Sequence, residues 1–234
     1  MIDEQGTTYL DTRNNVAHVG HGNRYVVKAV QKQLSILNTN TRYLHPNVVT
    51  LAKRLTEKLP DPLEVVIFVN SGSEANDLAL RLARAYTKSE NTIVVDRAYH
   101  GHTLATLEIS PYKFEHSKEY SLTTTNGEYA TPGHHIWKVP CPDTYRGKHR
   151  DSTNAGTLYA KYVQDACKFY TGKGESVGAF VIEGGMSVAG VILPPADYLL
   201  KSVEAVRASG GVYIADEGKS KKQRVFSIVL SEAN

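Results

Sequence analysis

The chain has 234 residues, 41% of them hydrophobic and 22% charged, with a net charge of +3. That length suits one large domain or one and a fraction, and a charge so small and scattered argues against nucleic acid as a partner. No apolar run approaches a membrane span, and the two cysteines, Cys141 and Cys167, form no metal or redox spacing and favour a reducing compartment.

The start, Met1-Ile2-Asp3-Glu4-Gln5, is acidic, unlike a signal peptide or an Arg-rich transit peptide. The expected location is the cytoplasm, or the mitochondrion with a targeting segment outside this sequence. Thr8-Tyr9-Leu10-Asp11 reads as a short strand, and Asn14 to Asn23 as a loop rich in Asn, Gly and His. Tyr25 to Leu37 has helical spacing through Val26, Val27, Val30 and Leu34. Pro46 fits the first turn of a helix reaching about Leu59, with Val48, Leu51, Leu55 and Leu59 on one stripe, and Pro60-Asp61-Pro62 stops it.

Next comes Val65-Val66-Ile67-Phe68-Val69, a continuous apolar run that reads as a buried strand. Ser71 and Glu74 then match the S-x-x-E helix-start pattern, and Ala75, Leu78, Ala79, Leu82 and Tyr86 continue at helical spacing. A tight turn into a helix aims free N–H groups and the positive helix end at one point, which suits a phosphate; the same pattern also fits an ordinary capped helix.

Thr92 to Val95 reads as the next buried strand, followed by Asp96 and by Ala98-Tyr99-His100-Gly101-His102 before a helix from Thr103. Ser110 to Thr157 shows no strong periodicity and reads as long loops with short elements, and Leu158 to Tyr170 as a helix. Val177 to Ile182 is a third strand ending at Glu183. Tyr198 to Ala208 is a helix closed by Gly210-Gly211, and Val212 to Ala215 a fourth strand ending at Asp216-Glu217. Apolar strands alternating with amphipathic helices predict an α/β fold, a mostly parallel sheet covered on both faces.

In such sheets the ligand lies beyond the carboxyl ends of the strands. Those ends carry Ser71-Gly72-Ser73, Tyr99-His100, Glu183 and Asp216-Glu217. An anion cradle, an aromatic face and carboxylates together suit a flat, phosphorylated heteroaromatic ligand with a basic ring nitrogen.

On these residues the chain resembles the class III (ornithine-type) aminotransferases, which use pyridoxal 5'-phosphate on the type I fold. The resemblance rests on Ser71-Gly72-Ser73-Glu74-Ala75-Asn76, Tyr99-His100-Gly101, Glu183 and Ile214-Ala215-Asp216-Glu217. It is nearest the phospho-lyase branch, which acts on ethanolamine phosphate or 5-phosphohydroxylysine and includes proteins labelled alanine–glyoxylate aminotransferase 2-like. Three stretches carry that finer likeness: Asn14-Asn15-Val16-Ala17-His18-Val19-Gly20-His21, Asn38-Thr39-Asn40-Thr41-Arg42-Tyr43-Leu44-His45, and Pro142-Asp143-Thr144-Tyr145-Arg146-Gly147-Lys148.

The resemblance implies that Ser71, Gly72 and Ser73 hold the cofactor phosphate and that Tyr99 stacks on the pyridine ring. It implies that Asp216 pairs with the ring nitrogen, that His100 supports the ring or Tyr99, and that Glu183 lies near the cofactor. It implies small-molecule amine substrates and a homodimer, with no nucleic acid and no membrane. The implied organisation is an N-terminal segment over 1–60, a partial cofactor-binding large domain over 61–217 and a basic tail over 218–234, with the small C-terminal domain missing. Asn23-Arg24 stands where the family has His-Pro, and Met186 and Ala189-Gly190 where it tends to Gln before Gly-Gly.

The family's Schiff-base lysine follows the counterpart of Asp216 by several tens of residues. Here the family pattern breaks off after Glu217 and gives way to Gly218-Lys219-Ser220-Lys221-Lys222-Gln223-Arg224. Exposed lysines so near Asp216 would stay hydrated and mostly protonated, with a pKa near ~10.4, and on the wrong side of the ring. The expectation is therefore a truncated chain with no catalytic lysine, either inactive alone or acting as a non-catalytic cofactor-binding or subunit-pairing fragment. A P-loop is excluded because Tyr213 stands where its first Gly is needed, and Gly20-His21-Gly22 lacks the third glycine of a dinucleotide fingerprint. The pairs His18/His21, His100/His102 and His134/His135 have no carboxylate or cysteine spacing to complete a metal site.

Overall fold

The computed structural model describes residues 1–10, 18–39, 42–61, 63–114, 135–218 and 228–231. Asp11, the Asn14–Ala17 part of the loop, Asn40 and Thr41, Pro62, His134 and the tail residues Lys219 to Arg224 lie outside them. The chain forms two compact units, Met1–Lys58 and Leu59–Asn234.

In the first unit, Thr8 forms a single antiparallel bridge with Ile2 rather than the short strand expected there. The intervening turn is held by Asp3, whose Oδ1 accepts from the Gln5 and Thr7 amides, and one bridge is as much ladder as so tight a turn allows. α1 (Arg24–Leu34) is capped by Asn23, whose side-chain oxygen accepts from the Tyr25 and Val26 amides. α2 (Pro46–Thr56) begins on Pro46, where a missing N–H costs nothing, after the His45 ring accepts from Asn47 N. Both helices form where the spacing predicts, yet neither buries a residue. Two helices and a turn are too little chain to close a core around an apolar stripe.

In the second unit, Val65 to Val69 is not a strand. The segment has no ladder partner among the described residues, and leaves Val65 84% and Ile67 55% exposed. A run of β-branched residues states a local preference; a strand forms only where a neighbour completes its hydrogen bonds. The turn and helix after it form as expected. α3 (Gly72–Thr87) starts with Ser71 Oγ accepting from Glu74 N at 3.1 Å. The Glu74 carboxylate reaches back to Asn70, accepting from its amide at 2.8 Å and its side chain at 2.9 Å.

The sheet is built from β1 (Thr92–Val95), β2 (Ile136–Val139), β3 (Ala179–Glu183), β4 (Val212–Asp216) and β5 (Ile228–Ser231), in the order β2-β1-β3-β4-β5. The first four are parallel and β5 is antiparallel to β4. Between strands lie α4 (Leu104–Glu108), α5 (Pro111–Phe114), α6 (Ala155–Gly172) and α7 (Tyr198–Ala208). The α/β class with helices on both faces is as the sequence predicts.

Alternation sorts the two cores. Ile93, Val95, Phe180 and Ile182 face α6 and α7, meeting Tyr159, Val163, Tyr170, Tyr198 and Val206. Val94, Val181, Val212 and Ile214 face the other way, onto Leu80, Ala79 and Ala83 of α3. Both faces of every central strand are therefore buried, which is why these strands read as unbroken apolar runs.

β2 is one of the short elements expected within Ser110–Thr157. It is a four-residue edge strand, buried only at its ends, Ile136 and Val139, with Trp137 and Lys138 between them. So short a segment carries too little periodicity to be read, and pairing with β1 decides it.

Candidate functional site

Because β1 to β4 run parallel, their carboxyl ends lie along one edge. The loop after β1 carries Tyr99 and His100, β3 ends on Glu183, and β4 ends on Asp216 directly beside it in register. The side chains meet there. The Asp216 Oδ2 lies 2.9 Å from His100 Nδ1 and accepts from Asn76 Nδ2 at 3.0 Å. Asp216 Oδ1 accepts from the Gly218 amide at 3.0 Å. Asn76 also donates to the His100 carbonyl at 2.8 Å, and the His100 amide donates to Ser110 Oγ at 2.9 Å. The ring and the backbone of His100 are thus both fixed.

Burial alone would raise the Asp216 pKa. The hydrogen bond and charge of His100, with the Gly218 amide and Asn76, outweigh it and hold the carboxyl below its ordinary value. The site is built to keep this carboxylate anionic.

Glu183 is the opposite case. It is 2% exposed, and burial pushes its pKa up despite His100 and the Tyr99 and Ser187 amides. Its Oε1 accepts from Tyr99 N at 3.0 Å, which holds the loop carrying Tyr99 over the end of β3. A folded-state pKa above the unfolded value means the folded carboxylate is penalised at higher pH, and the penalty fades as pH falls toward ~4.3. Glu183→Gln keeps the acceptor and removes the charge. It is expected to raise stability by about 1 kcal/mol at pH values above the folded carboxyl value, with the gain fading as pH falls through that value toward ~4.3, in urea unfolding followed from pH 8 downward.

At the start of α3, the Ser71 oxygen is committed to the helix cap. Ser73 Oγ accepts from His102 N at 3.0 Å, tying the helix start to the loop after β1. The approach is close enough to need glycine at 101: with φ +149°, a Cβ there would lie 2.6 Å from Thr106 Oγ1 and 2.9 Å from Ser73 Cα. The Gly72 and Ser73 amides precede the first helical hydrogen bond, made by Ala75 N to Ser71 O, so helix geometry leaves them without an intrahelical acceptor.

The structure therefore brings Gly72, Ser73, Tyr99, His100, Glu183 and Asp216 to one edge, with Ser71 capping the helix behind them. It adds Asn76, which the sequence reading quoted within its motif but gave no role. The signal was available: Asn76 lies one turn after Ser73 on the same helix face, and a polar residue is costly on a face otherwise packed with Ala79 and Leu80.

Three buried polar atoms here have no hydrogen-bond partner, Asn76 Oδ1, His100 Nε2 and Glu183 Oε2. With an anionic carboxylate and a helix N-terminus, they suit a ligand that is anionic at one end and cationic at the other. Among the described residues no group of three or more His, Cys, Asp or Glu could hold a metal ion, and no helix is long and apolar enough to cross a membrane.

Comparison with known proteins finds relatives over most of this chain. A family profile, aminotransferase class-III, matches residues 1–220. A Drosophila melanogaster protein named alanine–glyoxylate aminotransferase 2-like is 48% identical over 93% of this chain and 43% of its own length. A Caenorhabditis elegans protein named ethanolamine-phosphate phospho-lyase homolog 1 is 41% identical over 93% of this chain and 46% of its own. A human relative at 34% identity bears the name alanine–glyoxylate aminotransferase 2, mitochondrial, and is covered over 44% of its length. Among solved structures, an Arthrobacter phospholyase in complex with phosphoethanolamine superposes with a TM-score of 0.78 at 35% identity, over 94% of this chain and 49% of that one. The chain spans less than half the length of the relatives it matches.

Proposed function

Since the chain belongs to the class III aminotransferase family, we propose that its strand-end edge holds pyridoxal 5'-phosphate and serves chemistry on a small primary amine, with a phosphorylated amine such as ethanolamine phosphate as the favoured substrate. The observation that carries the reading is Asp216: a carboxylate kept anionic at the end of a central strand, with His100 and Asn76 fixing its direction. When bound, the cofactor supplies an electron sink for charge developing on the substrate carbon. Asp216 would hold the proton on the ring nitrogen, without which that sink is weak. The Gly72 and Ser73 amides would hold the phosphate with the α3 dipole behind them. Tyr99 would flank the ring, and Glu183 would keep Tyr99 in place through its backbone.

The reading assigns these residues to holding and orienting the cofactor. The family's whole reaction belongs to proteins matched over less than half their length, so turnover by these 234 residues alone forms no part of it. Lys219, Lys221 and Lys222 are assigned no bond to the cofactor, and we place the protein in the cytoplasm or the mitochondrion.

Equilibrium dialysis with pyridoxal 5'-phosphate, pyridoxal and inorganic phosphate tests this directly. The phosphorylated cofactor is expected to bind saturably and at least tenfold more tightly than pyridoxal, a difference of ~1.4 kcal/mol for the phosphate end. Equal retention of the two, or of neither, removes the proposal. Borohydride treatment followed by peptide mapping is expected to leave Lys219, Lys221 and Lys222 unmodified.

A further inference from the structure

We propose that the outer edge of β4 is a strand-accepting site, and that this chain fills it in cis with its own residues Ile228–Ser231. β4 has two different neighbours. On one side it pairs in parallel with β3 along its whole length, from Val212 opposite Ala179 to Asp216 opposite Glu183. On the other it pairs antiparallel with β5, from Tyr213 opposite Ser231 to Asp216 opposite Ile228.

Parallel neighbours need a long crossover, and β1 to β4 each have one; an antiparallel neighbour needs only a short return. β5 makes that return, beginning opposite the residue on which β4 ends. It also runs beside α3, so it lies along both elements that carry Asp216 and Ser73.

Three facts point to an added plug rather than a member of the family sheet. The family match stops at residue 220, before β5 begins. The run Ile228-Val229-Leu230 has strand-forming composition and follows Val225-Phe226-Ser227, beyond the lysine-rich stretch Lys219 to Arg224. And β4 is otherwise a central-type strand, with Val212, Ile214 and Ala215 buried, whose bare edge would offer N–H and C=O groups to any extended chain.

A tethered strand meets its acceptor at an effective concentration in the millimolar range, on the order of mM for a short connection. An external strand is therefore excluded while the plug is seated. The chemistry accepted is an extended, apolar, β-branched segment running antiparallel to β4. None of this depends on the cofactor.

Two experiments decide the matter. Ala215 and Val229 are register partners, so the A215C/V229C pair is expected to form a disulfide within one chain under mild oxidation, found by peptide mapping against the native Cys141 and Cys167. A disulfide between chains, or none, overturns filling in cis. The V229P/L230P pair removes one ladder donor, since consecutive N–H groups point to opposite sides of a strand, and sets two proline rings against the extended pairing. It is expected to bind a fluorescent synthetic peptide of residues 225–234 at least tenfold more tightly than the unaltered chain does, by anisotropy, and to lose at least tenfold in hydrogen-exchange protection within 213–216. Equal peptide binding by a folded proline variant and the unaltered chain overturns the accepting edge. Should the proline pair fail to fold, the cysteine pair alone decides.

Discussion

Asp216→Ala is expected to weaken pyridoxal 5'-phosphate binding about a hundredfold, or ~3 kcal/mol, and to lower the stability of the unliganded chain as well. The two losses have different causes. Without the carboxylate, His100 Nδ1 and Asn76 Nδ2 lose the acceptor they share, and His100 is 2% exposed with no room to turn toward water. Stranding buried donors costs about 1–3 kcal/mol. The ligand loss comes from the missing charge opposite the ring nitrogen. Asp216→Asn separates them: an amide oxygen still accepts from His100, so most of the stability is kept, while binding falls nearly as far as in the alanine variant.

The pH dependence has a definite sign. Asp216 is held below its ordinary value, so its contribution to stability is complete above the unfolded carboxyl value of ~3.9 and is lost as pH falls through the folded value. The stability gap between the unaltered chain and Asp216→Asn should therefore be constant through neutral pH and close only in acid. Urea titrations at several pH values, paired with dialysis of the cofactor, report both quantities. A gap that widened in acid would contradict the electrostatics of the site.

Gly156→Ala is expected to destabilise the second unit by about 3 kcal/mol, at the upper end of overpacking costs. Gly156 lies in the first turn of α6, where the chain before α7 crosses it. A Cβ there would collide with Ala196 O and lie 2.9 Å from Ala196 C and 3.1 Å from Tyr198 N. All three are backbone atoms, so no rotamer change makes room and one of the two segments has to move. For a chain of this size the melting midpoint should drop by about 6–12 °C. Gly172→Ala, at the other end of the same helix, is the contrasting case. Nothing lies within 4 Å of its built Cβ, and the gain in helix propensity should raise stability by about 0.5–1 kcal/mol. Thermal unfolding by circular dichroism distinguishes the two; equal effects would show that helix propensity alone, and not the crossing, sets the cost at Gly156.

The positions that could be read from residue order are those where a local rule and the fold agree. α7 runs over Tyr198–Ala208 as its periodicity and closing glycines indicate, and Ser71 starts α3 as its spacing with Glu74 indicates. The strand ends at Glu183 and Asp216 were legible because a carboxylate closing a doubly buried apolar run is unusual enough to mark a boundary. The meeting of Tyr99, His100, Glu183 and Asp216 at one edge then follows from parallel strands, since their carboxyl ends cannot point elsewhere.

Other features depend on neighbours that no local window contains. Val65 to Val69 has the composition of a core strand and lies exposed, because no described strand supplies its ladder. Ile136 to Val139 has too little pattern to stand out and is a strand, because β1 supplies one. The stripes of α1 and α2 are visible in the residue order, but whether a stripe becomes a core depends on what lies against it, and here both stay exposed. Asn76 is a further instance: its motif marks the helix, while its work on Asp216, 140 residues away, exists only once the sheet is assembled. Amino-acid order thus decided most of the helices, the doubly buried strands β1, β3 and β4, their boundaries at capped and carboxylate-ended positions, and the class of fold. Which strands pair, which apolar faces are covered and which donors fix Asp216 were decided by assembly, because hydrogen-bond ladders and burial are properties of pairs distant in the chain.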